Sequence, residues 1–220
     1  MSRGVVLLLA AGFVVSSACD RAGVTLSPVP PPRSWNQSLA QARQEKDASF
    51  ASDPDSPIPR AERAQFRGLT YFPLDPAWRY AGWIERSKTA ERISIVTTAG
   101  KPRPCERFGH VTFAREGRVL TLQVYRLLDL PERKGGEGLF LPFADQTTGK
   151  ETYAAGRYVD LVGPEEGPYV LDFNLAYNPS CAYGDPDRFQ CPATPAENRL
   201  PIAVTAGERG SLHVAAEPTR

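Results

Sequence analysis

Six side chains in the C-terminal half are of types that can grip a small, anionic ligand: Asp145, Tyr153, Arg157, Asp172, Asn174 and Tyr177. A guanidinium presents a rigid fork of donors to a carboxylate or phosphate, while carboxylates, an amide and phenols complete the surrounding hydrogen bonds. Two β-favouring runs, Arg157 to Val162 and Tyr169 to Asn174, flank the turn Gly163-Pro164-Glu165-Glu166-Gly167-Pro168. Equal stepping across a hairpin pairs Val159 with Asp172 and Arg157 with Asn174, which puts Arg157, Asp172 and Asn174 on one face. A one-residue slip scatters the set. The competing reading is a half-buried ion pair whose leftover hydrogen bonds an amide satisfies.

Asp145-Gln146-Thr147-Thr148-Gly149 reads as an Asx-turn, with Gly149 supplying a positive φ. A Walker loop is excluded, since Ala144 stands at the first Gly position and Glu151 follows Lys150 where Ser or Thr must hold magnesium. The phosphorylated-Asp signature of ion pumps is absent too. His110 and His213 lie beside no nucleophile turn of the G-x-S-x-G type. Acid–base work by Asp145, Asp172 or Glu197 has the residue types but no visible pairing.

Cys181 and Cys191, separated by nine residues, are expected to form a disulfide in an exported chain. Closing that loop stabilises the fold by about 2.5 to 3 kcal/mol on the chain-entropy model. Zinc is the weaker reading, because a structural site wants four ligands and the spacing supplies no second pair; no metal or cofactor is expected. Cys105 reads as a buried free thiol.

Compartment is the clearest signal. Arg3 precedes an apolar run from Val5 to Val15, and Ser16-Ser17-Ala18-Cys19 follows. This is the layout of a secretion signal over residues 1–18, too short to span a bilayer. A Cys directly after small residues resembles the lipobox of bacterial lipoproteins, in which Cys19 is acylated, with palmitate among the chains, and becomes the first mature residue. Ser16 stands where a Leu-like residue is usual. Asp20 resembles an inner-membrane retention signal, so the expected location is the cell envelope, facing the periplasm. Residues 19–34 read as a Pro-rich spacer at about 3.1 Å per residue.

The elements that position the candidates belong to one domain over residues 35–220. Lys plus Arg number 26 against 25 Asp plus Glu, without a basic run, so nucleic acid is not an expected partner. Twenty-one prolines and eighteen glycines favour short strands and sharp turns. Ser34 and Gln37 fit a capping box opening a helix from Trp35 to about Ser49, and a second short helix is expected from Pro59 to Phe66. Strands are expected at Leu69 to Phe72, Trp78 to Ile84, Arg92 to Thr97, Phe108 to Ala114, Val119 to Leu127, Leu139 to Phe143, Arg157 to Val162, Tyr169 to Asn174 and Leu200 to Thr205. The class is mainly β: an antiparallel sandwich or partly closed barrel with two short N-terminal helices.

Lys46-Asp47, Gly68-Leu69, Tyr71-Phe72-Pro73, Leu139-Phe140, Pro142-Phe143, Asp145, Gly156-Arg157-Tyr158, Asp172-Phe173-Asn174, Ala176-Tyr177-Asn178-Pro179, Cys181-Ala182-Tyr183, Glu197-Asn198-Arg199-Leu200 and Ala206-Gly207-Glu208 carry a family resemblance. From Lys46 to Glu208 the chain resembles the bacterial and archaeal family catalogued as domain of unknown function sixteen eighty-four. The resemblance implies no activity, and Cys105 and His110 lie outside its pattern. The expected function is an exported, lipid-anchored envelope protein with a polar pocket for a small ligand or an envelope partner. A cofactor-free hydrolase using that pocket, and a structural envelope protein without a ligand, are the alternatives.

Overall fold

The computed structural model describes residues 25–129, 138–161, 163 and 167–210. The signal segment, Cys19, Asp20, Val162, the turn at 164–166 and His213 lie outside them. In chain order the elements are β1 (Leu26–Pro28), α1 (Trp35–Ser52), β2 (Arg79–Gly82), β3 (Glu85–Val96), β4 (Pro102–Arg115), β5 (Arg118–Leu127), β6 (Leu139–Phe143), β7 (Arg157–Leu161), β8 (Tyr169–Asp172) and the one-turn α2 (Pro186–Phe189). They make two antiparallel sheets, one ordered β1-β2-β8 and one ordered β3-β4-β5-β6-β7. Mainly β is therefore correct, and among the described residues neither sheet closes into a barrel.

The sheets face each other across a shared core. Tyr80 of the small sheet packs on Phe113 of the large one at 4.9 Å between ring centroids. Phe173, directly after β8, meets Phe143 edge-on at 5.2 Å and Trp78 at 5.6 Å. The other side of the large sheet carries a second apolar cluster of Ile95, Cys105, Tyr125, Phe140, Tyr158, Cys181 and Cys191. Every residue of β6 is consequently buried, and its sequence is the continuous apolar run that two covered faces demand.

α1 is longer than expected and is held differently. Ser34 makes no side-chain cap, so the capping box is not formed. The helix stops where Asp53 precedes Pro54 and adopts an extended conformation, because proline crowds the helical region of the residue before it. Only Trp35 and Leu39 are buried; Ala42 is exposed and Phe50 half-buried. Polar contacts complete the docking.

Five further expectations are corrected. The helix from Pro59 to Phe66 shrinks to a single 3-10 turn at Arg63–Gln65. Leu69 to Phe72 contributes only an isolated bridge between Tyr71 and Glu208, and Leu200 to Thr205 forms no strand. Leu26–Pro28, read as spacer, is the edge strand of the small sheet, and the Arg79 side chain also grips the Pro30 carbonyl. Most consequentially, β7 and β8 do not form a hairpin: β7 pairs with β6, setting Arg157 opposite Phe143, while β8 pairs with β2, setting Asp172 opposite Arg79. The two runs belong to different sheets, β7 at the edge of the large one and β8 at the edge of the small one.

Candidate functional site

Arg157 begins β7, and Gly156 before it has φ +98°. A Cβ at Gly156 would stand 2.2 Å from the Thr194 hydroxyl and 2.7 Å from the Phe143 carbonyl, so only glycine lets β7 start here. The guanidinium points into the protein, with the side chain 1% exposed. Its Nη2 donates to Asp145 Oδ2 at 2.7 Å and to the Val204 carbonyl at 2.7 Å; its Nη1 donates to the carbonyls of Ala206 and Glu208 at 2.5 and 3.1 Å. The Phe72 and Phe143 rings lie 5.7 and 5.1 Å from its central carbon. Burial draws its pKa down, and the Asp145 carboxylate opposes that.

Asp145 closes the other side of this network. Its Oδ1 accepts from the Thr147 amide at 2.8 Å and from the Thr147 hydroxyl, forming the expected Asx-turn, with Gly149 at φ +77°. Its Oδ2 also accepts from the Val204 amide at 3.1 Å. The pair thus fastens the C-terminal strap, residues 204–208, to β7. Apart from Nε, which has no partner, the guanidinium is engaged by the chain itself.

Asp172 and Asn174 stand in another network. Asp172 Oδ2 accepts from Trp35 Nε1 at 2.8 Å and lies 3.5 Å from Arg79 Nε. Its Oδ1 accepts from the Asn174 amide at 3.0 Å, capping the short turn Phe173–Leu175. The Asn174 side chain exchanges two hydrogen bonds with the Asp75 backbone, each 2.9 Å. These groups hold the start of α1 and the loop before β2. The six candidates are therefore divided among separate networks rather than gathered in one pocket.

Tyr177 belongs to a third set of contacts. Its backbone bridges to Tyr158, its hydroxyl donates to Asp160 at 3.0 Å, and its ring lies 5.1 Å from the Lys46 ammonium. Lys46 pairs with Glu208 at 2.8 Å. Glu208 is fully buried, accepts from the Asn178 amide, and sits after Gly207, whose φ of +79° and close approach to the Ala176 carbonyl tolerate no side chain. One turn earlier on α1, the Arg43 guanidinium stacks 4.0 Å over the Tyr71 ring. Burial lowers the Arg43 pKa and raises that of Tyr71, to which Glu208 and Asp47 add. Arg43, Lys46, Tyr71 and Glu208 were not picked out as a polar seam. Lys46 and Glu208 do open and close the span of family resemblance, and that was the available signal.

Tyr153 points elsewhere, its hydroxyl 3.8 Å from Cys181 Sγ. Cys181 and Cys191 are buried free thiols in this structure, and the Cys181 amide donates to Cys191 Sγ at 3.2 Å. Hydrogen bonding from the Cys191 thiol holds the Cys181 thiol down to about 6 against desolvation, with help from the Thr98 and Tyr153 hydroxyls. The same contact pushes Cys191 upward. Cys105 is a buried free thiol in the same apolar cluster. Among the described residues no group of three or more His, Cys, Asp or Glu is placed to hold a metal ion, and no helix is long and apolar enough to cross a membrane.

A two-sheet β domain with a buried Arg157–Asp145 ion pair engaged by its own backbone is the class this geometry defines. The chain belongs to the family described as protein of unknown function (DUF1684), whose model matches residues 64–209. It is similar to the solution NMR structure of an uncharacterized protein from gene locus rrnAC0354 of Haloarcula marismortui, at 37% identity and a TM-score of 0.62, over 81% of this chain and 96% of that one. No curated protein matches the chain.

Proposed function

We propose that this chain is an exported, lipid-anchored cell-envelope protein that works by contact with an envelope partner, its polar residues serving to lock the fold. The signal layout ending in Cys19 supports export and anchoring. Two acyl chains or more would hold the domain stably at a membrane surface. The observation that carries the functional half is the engagement of Arg157: its terminal nitrogens are bonded to Asp145 and to three carbonyls of the strap. A guanidinium so engaged is a fastening, and this favours the partner or structural branch over a small-ligand pocket or a hydrolase.

The test is the native mass of the full chain, extracted in detergent from an exporting host, compared with its mass after denaturation. Acyl mass on Cys19 and nothing further lost on denaturation is the expected result. A defined small molecule released on denaturation would replace this reading with a ligand site.

A second reading rests on the adjacent thiols. In an oxidising compartment Cys181 and Cys191 would close a disulfide by exchange with a low-molecular-weight disulfide such as oxidised glutathione. The Cys181 thiolate attacks one sulfur of the donor and releases a thiol. Cys191, losing its proton, then attacks the mixed disulfide and releases the second thiol. One S–S bond forms as one breaks, and the donor gains the two electrons. The denatured mass reads this directly, as the loss of two hydrogens in wild type and its absence in Cys191→Ser.

A further inference from the structure

We infer that the outer face of the small sheet rests on the bilayer, with Trp83 as its interfacial anchor. This rests on the lipid anchor at Cys19. Alternation along β2, continued by the two residues after it, sends Tyr80 and Ile84 into the core and Ala81 and Trp83 outward. Ala81 pairs with Ser27 on one side and Val170 on the other, which places these residues together on the outer face. Trp83 is 60% exposed and Val170 38%, whereas Trp35 and Trp78 are 7% and 1% exposed. Tryptophan combines a large apolar body with one N–H donor, which suits the boundary where acyl chains meet ester and headgroup oxygens.

The chain path supplies the reason to choose a membrane over another occupant. Thr25 leads into β1, and its carbonyl accepts from the Trp83 amide at 3.3 Å. Five residues separate Cys19 from Thr25, a span of six residue-to-residue steps. Even fully extended, that length reaches at most about 22 Å, less than the thickness of a bilayer's hydrocarbon core. A lipid on Cys19 therefore delivers the protein to the surface beside Trp83. Pairing of β1 with β2 removes the freedom a longer tether would give.

The experiment uses the full chain, exported with its own signal, extracted, weighed, and reconstituted into phosphatidylcholine–phosphatidylglycerol vesicles with or without brominated acyl chains. Wild type is compared with Trp83→Phe, whose matching melting temperature shows that it is folded. Acylated wild type should lose Trp emission to bromolipid, and the variant should lose little, because its two remaining tryptophans are buried. Equal quenching of the two acylated proteins overturns the docking while leaving the anchor intact. An unacylated wild type still quenched on vesicles removes the anchor but sustains the docking face. Reversible self-association that Trp83→Phe abolishes, without bromolipid quenching, assigns the face to a second copy instead and overturns the inference.

Discussion

Asp145→Asn tests the central network most sharply, because it keeps shape and removes only charge and acceptor capacity. Both carboxylate oxygens are fully used: Oδ2 by Arg157 Nη2 and the Val204 amide, Oδ1 by the Thr147 amide and hydroxyl. Whichever way the new amide turns, its NH2 faces donors, and the buried guanidinium loses its counter-charge. Breaking one member of a buried pair costs about 3–5 kcal/mol, which for a chain of this size is a fall in melting temperature of about 6–20 °C. The variant is measured against wild type by urea titration and thermal denaturation followed by circular dichroism. Arg157→Met should be at least as costly, since it also orphans the carbonyls of Val204, Ala206 and Glu208. The double variant Asp145→Leu/Arg157→Met should recover only part of the loss, because apolar side chains relieve the buried charge but not those carbonyls. A fall below about 1 kcal/mol for Asp145→Asn would refute the claim that the pair is a fastening.

Two other perturbations follow from the same structure. Lys46→Ala leaves the fully buried Glu208 without its cation and should cost about 1.5–3 kcal/mol; the loss should shrink in a Glu208→Gln background, a coupling read by a double-mutant cycle in urea. Independent, additive losses would show that the seam under α1 is not a unit. For the thiols, ultraviolet thiolate absorbance of the reduced protein should rise with a midpoint near pH 6, and this step should vanish in Cys181→Ser. The sign for stability follows. With its folded pKa depressed, the Cys181 thiolate contributes stability that is complete above the ordinary thiol value of about 8.5 and is lost as pH falls through about 6. A thiolate step only near the ordinary value would remove the case for Cys181 as the attacking sulfur.

Strand positions were legible because alternation and β-branching are local properties: Leu139–Phe143 falls where expected, and Arg157–Leu161 and Tyr169–Asp172 nearly so. Partner choice was not, because nothing within Arg157–Leu161 states whether its neighbour will be β6 or β8. The proposed hairpin failed on that point, and the polar trio depended on it. All of β7 except Asp160 is buried, including an Arg that a solvent-facing hairpin would have left wet. A chain that buries Arg157 and Asp145 together needs backbone acceptors from a segment that is not itself a strand, because strand carbonyls are already paired. Residues 204–208 supply them: the strand expected at Leu200 to Thr205 is not formed, and from Val204 the chain turns at Gly207 and offers its carbonyls to the guanidinium. The missing strand and the engaged arginine are thus one fact, and a single substitution at Asp145 should loosen both.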